Sequence, residues 1–353
     1  MNARHPSIDA AILREFVTTV FVRLGMSDAD AAIEAEVLVW ANLRGVDSHG
    51  VLRLPRYLAL FEQGEVKPRP TMRFERETAV SAILEADHAL GPIAMTRAMD
   101  RAIEKARAAA IGWVAVRDTA HSGAVGYYAL RAAAADMVGL VIVTSVPNMA
   151  YHGARAAGVA TSPIAIAVPG ATHAPLVIDM ATAVAALGKI VQARNAGTAL
   201  PAGWALDRDG NPTTDAAAAV LPLPLGGAKG AGLSLLFECV TSLLVGNPII
   251  SATLGEAPGD RRHRQNAVAV AIDIAAFTDV AGYKANVDAL AAAVKALPRA
   301  AGCDEILVPG ERGDRILVAR HRHGIPLPPG TLRGLIEIAA RLAIAMPPLI
   351  DAS

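Results

Sequence analysis

The sequence predicts an α/β or α+β fold preceded by a small helical unit, and three observations support this. From Thr78 onward, short β-rich runs alternate with segments of helical periodicity. The first 70 residues show helical patterns, which Pro68 and Pro70 then break. Hydrophobic residues make up 53% of the chain and aromatic residues only 4%, a balance typical of small aliphatic helices packed tightly on sheets. The alternation alone leaves α/β and α+β both open.

The length of 353 residues predicts two or three domains. We expect an N-terminal helical domain at residues 1–70 and a larger domain at residues 71–325. A final helix, Leu332 to Met346, follows the proline-rich break Pro326–Pro329. The segment 326–353 is expected to pack back on the N-terminal helices.

Local signals bound each of the three N-terminal helices. Serine and aspartate side chains cap helix N-termini, and glycine commonly follows the last turn. The expected helices run from Ser7 to Gly25, from Ser27 with Asp30 to Gly45, and from Asp47 or Ser48 to Gly64.

The larger domain is expected to contain β-rich runs bounded by turn residues, with amphipathic helices between them. The predicted strands are Val80–Ala86, Trp113–Val116, Leu140–Thr144, Ile164–Val168, Leu176–Asp179 and Ala267–Ile274. The predicted helices are Ile93–Ala110, Ala124–Met137, 182–194, 230–245 and 285–297.

Composition excludes several classes of protein. The 33 basic and 33 acidic residues give a net charge of zero without a charge block, which argues against a nucleic-acid or membrane-surface partner. Asp179 and Lys189 interrupt the longest apolar stretch, so no membrane span is predicted, and we see no signal peptide. Cys239 and Cys303 are the only cysteines, which favours a reducing compartment and a cytoplasmic protein. No metal site is predicted, because His321-Arg322-His323 has no acidic or cysteine partner nearby.

The segment Arg44–Tyr57 carries the most chemistry. His49 and Arg53 are four residues apart, so a helix would place both on one face, which Tyr57 would extend. An imidazole can protonate a carbonyl oxygen while a guanidinium binds a carboxylate in a bidentate pair. By itself the pattern also fits a capped surface helix with an arginine salt bridge. We reject a hydrolytic triad at Asp47-Ser48-His49, because adjacent residues do not easily converge and no G-x-S-x-G motif occurs.

Three further segments are candidate anion sites. His121–Gly126 follows a predicted strand and opens a helix, and the glycine-rich Leu225–Gly232 precedes an apolar helix and contains Lys229. Pro309–Arg315 offers two guanidiniums in a predicted turn. Neither the G-x-G-x-x-G fingerprint nor the Walker spacing occurs. The residues by themselves indicate small-molecule anion sites and a proton donor.

Taken together, these segments resemble the malate/L-lactate dehydrogenase family, which is distinct from the Rossmann-fold dehydrogenases of the same names. The resemblance covers nearly the whole chain in unbroken order. It runs through Arg44–Tyr57, His121–Tyr128, Ala160–Ala165, Asp179–Thr182 with Gly188-Lys189, Gly203–Asp207 and Pro224–Gly232.

The resemblance implies that NAD or NADP, with NAD slightly favoured, is used to interconvert a 2-oxo or 2-imino acid with its 2-hydroxy or 2-amino acid. Reduction of a small 2-oxo acid to its 2-hydroxy acid is the leading expectation. The resemblance further implies a non-Rossmann nucleotide-binding domain at residues 71–325, with a mainly antiparallel sheet flanked by helices. It also implies a homodimer.

The resemblance assigns roles residue by residue. His49 matches the general acid/base, Ser48 its relay partner and Arg53 the ligand of the substrate carboxylate. Lys189 is expected to act in catalysis, and Tyr57 and Thr161 to lie near the substrate. Cofactor contacts are expected at His121, Ser122, Gly123, Ala124, Val125, Asp179, Met180, Ala181, Ala228, Lys229, Gly310, Glu311, Arg312 and Arg315.

Other functions stay open at this point. The nearest alternative is an NAD(P)H-dependent reductase of cyclic 2-imino carboxylates, which would use the same residues. Where such reductases carry an aspartate, this chain has Lys189, which favours the hydroxy-acid branch. A catalytically silent dinucleotide-binding or assembly protein, and more distantly a hydrolase, are the alternatives from other classes.

Overall fold

The computed structural model describes residues 5–256 and 262–350. The α-helices in these ranges are α1 (Ala10–Arg23), α2 (Asp28–Leu43), α3 (Leu54–Glu62), α4 (Gly91–Ala109), α5 (Gly126–Ala133), α6 (Leu187–Ala196), α7 (Ala228–Glu238), α8 (Ile250–Leu254), α9 (Val280–Lys295), α10 (Glu311–His323) and α11 (Pro329–Leu342). Two 3₁₀ turns, Asp47–His49 and Val51–Arg53, precede α3, and a π-helical turn, Cys239–Leu243, continues α7. No helix in the described ranges is long and apolar enough to span a membrane.

The strands are short at the periphery and long at the centre. They are β1 (Ser7–Ile8), β2 (Arg73–Glu75), β3 (Ser81–Glu85), β4 (Ile111–Thr119), β5 (Met137–Ser145), β6 (Met149–Ala150), β7 (Ala157–Val159), β8 (Ile164–Val168), β9 (Leu176–Met180), β10 (Ala205–Leu206), β11 (Pro212–Thr213), β12 (Leu221–Pro222), β13 (Gln265–Asp273) and β14 (Ile325–Pro326).

A mixed seven-stranded sheet has the strand order β2-β3-β4-β13-β5-β8-β9. β3 and β4 pair in parallel, and the other five pairings are antiparallel. β13 lies between β4 and β5, where Ala267 is opposite Val116 on one side and Val143 on the other. The α/β class predicted from the sequence is confirmed, with a mixed sheet flanked by helices.

Helices cover both faces of this sheet, and β13 shows how one strand serves both. Successive strand residues point to opposite faces. Ala269 packs in one hydrophobic cluster with Met99 of α4, while its neighbour Val268 packs in another with Phe237 of α7. Alanines on the α4 side allow close helix–sheet packing, which accounts for the aliphatic, aromatic-poor composition.

The N-terminal helices share a separate hydrophobic cluster. Leu13 of α1, Leu38 of α2, Leu60 of α3 and Leu335 of α11 belong to it. β1 pairs with β14, and Ile8 lies opposite Ile325. The described part of the C-terminal segment therefore lies against the N-terminal helices.

Helix boundaries agree with the sequence where the signal is local. Ser27 caps α2 as predicted, its hydroxyl accepting a hydrogen bond from the Asp30 N–H at 3.2 Å. The predicted Ser7 cap of α1 is wrong, because Ser7 lies in β1 and the Asp9 carboxylate caps the helix instead.

Boundaries in the larger part differ more. The helix predicted at 124–137 ends at Ala133, because Met137 already begins the buried strand β5. The helix predicted at 182–194 begins only at Leu187. α10 was not predicted, and the segment read as the turn Pro309–Arg315 contains the start of this helix.

Candidate active site

The segment Arg44–Tyr57 does not form one helix. The two 3₁₀ turns are separated by Gly50, which is extended with φ −92° and ψ −152°, and α3 begins only at Leu54. A Cβ at position 50 would overlap the Asn42 side chain, so glycine is needed there. The prediction of a helix from Asp47 or Ser48, with positions 49, 53 and 57 on one helical face, is therefore wrong.

Side chains from α2 and α10 hold the first turn in place. The Asn42 amide nitrogen donates to Asp47 Oδ1 at 2.7 Å, and its oxygen accepts from the Val51 N–H at 2.9 Å. Arg320 of α10 forms two bonds with the Asp47 carboxylate, at 2.6 and 2.9 Å. The Asp47 carboxylate is thus bound to Asn42 and Arg320 and fixes the turn, which agrees with our rejection of a hydrolytic triad.

Ser48 contacts both neighbouring functional side chains. Its hydroxyl is 2.9 Å from His49 Nδ1, and its carbonyl oxygen accepts a 2.6 Å hydrogen bond from Arg53 Nε. Burial, together with the charge of Arg53, lowers the pKa of His49 to about 4. Imidazole and guanidinium are therefore brought together by the Ser48 backbone and hydroxyl, and the imidazole is neutral at pH 7.

His121 lies against His49 from the other side of the site. The two rings stack with centroids 5.4 Å apart and an interplanar angle of 23°. The hydroxyl of the fully buried Tyr57 is 2.7 Å from His121 Nδ1, which also accepts from the Gly123 N–H at 3.3 Å. Burial lowers the pKa of His121 well below its ordinary value and raises the pKa of Tyr57, so the tyrosine stays a donor. Two donors at Nδ1 assign the proton of the neutral His121 ring to Nε2.

A third imidazole, His263, was not among the site residues predicted from the sequence. The His263 ring centroid is 6.4 Å from that of His121. The backbone N–H of His263 donates to Glu65 Oε2 at 3.1 Å. Burial and the charge of Arg56 lower the pKa of His263 to about 4. No local pattern marks this residue, because it meets His121 from 142 positions away in the chain.

The start of α6 lies beside the first turn. A Cβ on Gly188 would be 3.1 Å from Ser48 Cβ, so the two backbones approach closely at this point. Lys189 follows directly, with an exposed side chain. The backbone of Lys189 is thus close in space to the turn that contains His49, while its side chain is exposed to solvent.

Asp179 lies at the N-terminus of α5, just after the His121 segment. Its Oδ2 accepts a 2.8 Å hydrogen bond from the Gly126 N–H. Burial raises its pKa to about 6, against the opposing effects of this hydrogen bond and of Arg44. The carboxylate therefore occupies the α5 N-terminus that the sequence suggested for an anion, and it serves there as a hydrogen-bond acceptor.

Arg44 joins the start of α10 to the same region. Its guanidinium donates to the Gly310 carbonyl oxygen at 3.0 Å and pairs with Asp314. The Val177 N–H of β9 donates to the Pro309 carbonyl oxygen at 3.2 Å. The segment therefore lies beside β9, and its conformation is helical from Glu311 onward and not the predicted turn.

The two arginines predicted to face a phosphate differ in their surroundings. Arg315 pairs with Glu305 and with Glu311, so its charge is already compensated. Glu311 also pairs with Lys295. Arg312 is exposed. Both arginines therefore lie on a helix and not in a turn. Arg312 is exposed, whereas Arg315 is ion-paired.

The glycine-rich loop lies beside the end of β9. Gly226 and Gly227 have φ of +59° and +61°, a conformation that favours glycine. The Leu225 N–H donates to the Thr182 carbonyl oxygen at 2.8 Å, and the Thr182 N–H donates to the Thr161 carbonyl oxygen at 3.0 Å. These bonds bring Thr161 and the chain after Met180-Ala181 close to the first turn of α7, which contains Ala228 and Lys229. The Lys229 side chain is exposed.

The predicted site residues thus form three neighbouring groups. The first contains Ser48, His49, Arg53, Tyr57 and His121, the second surrounds Asp179, and the third surrounds Thr161 and Lys229. The His121–Gly126 segment links the first group to the second, and Gly188 approaches the first from α6. The arrangement can bind a carboxylate, hold a proton on an imidazole and bind a second, larger polar molecule.

Comparison with known proteins identifies the class. The family model described as malate/L-lactate dehydrogenase matches residues 8–336. L-sulfolactate dehydrogenase from Methanocaldococcus jannaschii is 34% identical over 340 residues, 96% of this chain and 98% of the relative. A solved structure of sulfolactate dehydrogenase from that organism has a TM-score of 0.87, covering 96% and 98% of the two chains at 34% identity.

Two further relatives broaden the comparison. Malate dehydrogenase from Pyrococcus horikoshii is 35% identical over 345 residues, which is 94% of each chain. Ureidoglycolate dehydrogenase (NAD(+)) from Escherichia coli K12 is 31% identical over 310 residues, 87% of this chain and 88% of the relative. The chain is therefore an oxidoreductase of the dehydrogenase class. It belongs to the malate/L-lactate dehydrogenase family, which confirms the resemblance found in the sequence.

Proposed function

We propose that this enzyme reversibly reduces a 2-oxo acid to a 2-hydroxy acid with a nicotinamide cofactor, and that His49 is its general acid/base. The observation that carries the proposal is the double contact of Ser48, with His49 through its hydroxyl and with Arg53 through its carbonyl oxygen. This contact fixes the distance between a proton carrier and a carboxylate ligand, which the two ends of a 2-oxo acid core require.

Arg53 binds the substrate carboxylate. Its Nε is already bonded to Ser48, so the two terminal nitrogens are left for a bidentate pair with a carboxylate. The Ser48 bond also fixes the plane of the guanidinium. Substrate orientation therefore follows from the conformation of the 3₁₀ turns.

His49 transfers the proton at the oxygen on C2. In reduction, C2 gains a hydride and the carbonyl oxygen gains the proton from His49 Nε2, which breaks the C=O π bond and forms C–H and O–H bonds. The hydroxyl of Ser48 on Nδ1 orients the ring. A carboxylate on Arg53 offsets one of the two causes that lower the pKa of His49, so substrate binding favours proton uptake by the imidazole.

The residues of the second and third groups fit a dinucleotide. A bound nicotinamide cofactor supplies the hydride in reduction and accepts it in oxidation. The Asp179 carboxylate is a suitable acceptor for ribose hydroxyls, and the backbone of Gly226–Ala228 with Lys229 is suitable for phosphates. Arg315 is already paired with Glu305 and Glu311 and so is not free to bind a 2′-phosphate, which favours NAD over NADP.

The remaining predicted residues take supporting roles. Tyr57 is fully buried and positions His121 through its hydroxyl. Thr161 lies on the substrate side, where its carbonyl oxygen accepts a hydrogen bond from the Thr182 N–H. Lys189 follows Gly188, which approaches Ser48, and we propose that it acts in catalysis by polarising the oxygen on C2.

We further propose a helical domain at residues 1–70, completed by 326–353, and a cofactor domain at 71–325 whose non-Rossmann sheet binds the dinucleotide. The protein acts as a homodimer. The cluster of exposed leucines on α7 and the π-helical turn supports the dimer, since Leu236 and Leu244 are 62% and 60% exposed.

The test is an assay of NADH and NADPH oxidation with pyruvate, oxaloacetate, sulfopyruvate and a cyclic 2-imino carboxylate. We expect reduction of at least one 2-oxo acid, faster with NADH. Arg53→Met is expected to raise KM for that acid about 100-fold, with a smaller effect on kcat. Turnover of the cyclic imine alone, or of none of the four compounds, contradicts the proposal.

A further inference from the structure

The turn between β4 and α5, which carries His121, is bound to the central sheet through Ser122. Ser122 is only 2% exposed. Its backbone N–H and its hydroxyl both donate to Gln265 Oε1, at 2.9 and 2.8 Å. Its carbonyl oxygen accepts from the Tyr128 hydroxyl at 2.6 Å. Every polar group of Ser122 is therefore engaged in a hydrogen bond within the protein.

These bonds bear on the cofactor contact that the sequence resemblance implies at Ser122. A serine hydroxyl has one hydrogen to donate, and here Gln265 accepts it. The start of α4 also covers the turn, because a Cβ on Gly91 would lie 2.3 Å from Ser122 Cα. Both observations favour an indirect role for Ser122, in which it anchors the turn and neighbouring residues contact the cofactor.

The anchor itself, Gln265, lies at the start of the central strand β13. It is opposite Thr119, the last residue of β4, where the pairing of the two strands shifts at a β-bulge. Bulges are frequent beside active sites, where they redirect a side chain. On its other side Gln265 pairs with Ser145 of β5. A backbone N–H can only donate, so the amide atom that faces Ser122 is the oxygen.

The anchored turn connects two parts of the proposed cofactor site. His121 stacks on His49 with 5.4 Å between ring centroids, and the Gly126 N–H, where α5 begins, donates to Asp179 at 2.8 Å. A nicotinamide that gives its hydride to C2 of the substrate must lie beside His49, and ribose hydroxyls are proposed at Asp179. A displacement of the turn would therefore alter the contacts of the cofactor.

We propose that Gln265 is a positioning residue of the cofactor site, which acts through Ser122 to fix the turn that carries His121. The inference rests on the proposed function, because it requires a nicotinamide cofactor beside this turn. Arg53, the proposed ligand of the substrate carboxylate, is held by Ser48 on the separate α2–α3 connection. Loss of the Gln265 bonds should thus weaken binding of the cofactor and leave binding of the acid nearly unchanged.

The experiment is a double-mutant cycle of Gln265→Met, Ser122→Ala and the double variant. It measures steady-state oxidation of NADH with whichever of pyruvate, oxaloacetate and sulfopyruvate wild type reduces fastest. Methionine is about as long as glutamine but is only a weak acceptor, so the Ser122 N–H loses its partner. We expect Gln265→Met to raise the KM for NADH about tenfold and to change the KM for the acid less than twofold. Partial unfolding would lower the rate without this split, since KM does not depend on the concentration of active enzyme.

The cycle separates an indirect role of the Ser122 hydroxyl from a direct one. If the hydroxyl acts through Gln265, Ser122→Ala should raise the KM for NADH about twofold to threefold in the wild-type background. It should add nothing in the Gln265→Met background, because the partner is already lost. A hydroxyl that binds the cofactor directly would give the same loss in both backgrounds, which overturns the inference.

Gln63→Met is the control, because it carries the same substitution at an exposed position at the end of α3 and should match wild type. An unchanged KM for NADH in Gln265→Met overturns the inference, and so does an equal rise in the KM values for NADH and the acid. Either result leaves the proposed function intact. The proposed function itself fails only if wild-type enzyme reduces no 2-oxo acid.

Discussion

The buried, neutral imidazoles of this site lower the stability of the folded protein in acid, which an exposed histidine does not do. Burial lowers the pKa of His49 and of His263 to about 4, from an ordinary value of 6.5. Between these values the unfolded chain binds protons that the native protein does not, so stability falls as the pH falls through this window. Asp179 acts in the opposite direction, since its pKa is raised to about 6 and the native carboxyl is protonated first.

We therefore expect the free energy of unfolding to fall between pH 7.5 and pH 5.5, and to fall less in His263→Gln. The difference in slope should amount to about 1 kcal/mol over this range, from the linkage of one imidazole. Urea unfolding at both pH values measures it, and His321→Gln should behave as wild type. A His263→Gln profile parallel to wild type would show that His263 titrates equally in the folded and unfolded states.

At this scale the sequence reveals only residues that are close together in the chain. The spacing of His49 and Arg53 predicts that the two side chains lie close together, and Ser48 contacts both, although the assumed helix is replaced by two 3₁₀ turns. His263 has no such neighbour in sequence and meets His121 just before the chain enters β13. A contact of this kind depends on the tertiary fold.

Helix α6 contacts the 3₁₀ turn Asp47–His49 through its second residue, Gly188. Gly188→Ala would bring a methyl group to 3.1 Å from Ser48 Cβ, so either Ser48 or α6 must shift by a few tenths of an ångström. A shift of Ser48 moves His49 and Arg53 together. We expect kcat/KM to fall about tenfold with little loss of stability.

Gly330→Ala is the matched control, because Gly330 is also the second residue of its helix and has open space around its Cα. This variant should keep wild-type kinetics. Thermal unfolding of both variants separates a local displacement from general destabilisation. Wild-type kcat/KM in Gly188→Ala would contradict the close coupling of α6 to the turn.

Helix α10, which was not predicted from the sequence, is held by tertiary contacts. α10 contains Gly313 and a dense mixture of charges, which weakens the local helical signal. Arg44 binds its first turn through Asp314, and Arg320 binds Asp47. These partners lie more than 250 positions away in the chain, so the local pattern does not reveal them.

In the whole molecule, the site lies where the N-terminal helices meet the central sheet. The α2–α3 connection carries His49 and Arg53, the proposed proton carrier and carboxylate ligand, and the β4–α5 connection carries His121. Val37 of α2 contributes to the hydrophobic cluster of the sheet, which ties the two parts together. The strands could be predicted from their composition, but the position of β13 between β4 and β5 could not, because these pairings join distant segments.

The proposed homodimer concerns the whole molecule and can be tested directly. We expect size-exclusion chromatography with light scattering to give twice the 36.5 kDa chain mass. Leu236→Glu should give monomers, because a buried charge at an apolar contact is costly. Leu290→Glu on α9, a position 60% exposed, is the control and should stay dimeric. A monomeric wild-type protein, or a dimeric Leu236→Glu variant, contradicts this assembly.

The most direct measurement of the central claim is the kcat of His49→Gln for the best 2-oxo acid, determined beside wild type at pH 7 with saturating cofactor. If His49 carries the proton, kcat falls by about 100-fold to 10,000-fold while the KM for the acid changes little, because Arg53 still binds the carboxylate. A variant that keeps wild-type kcat would show that another group protonates the oxygen on C2.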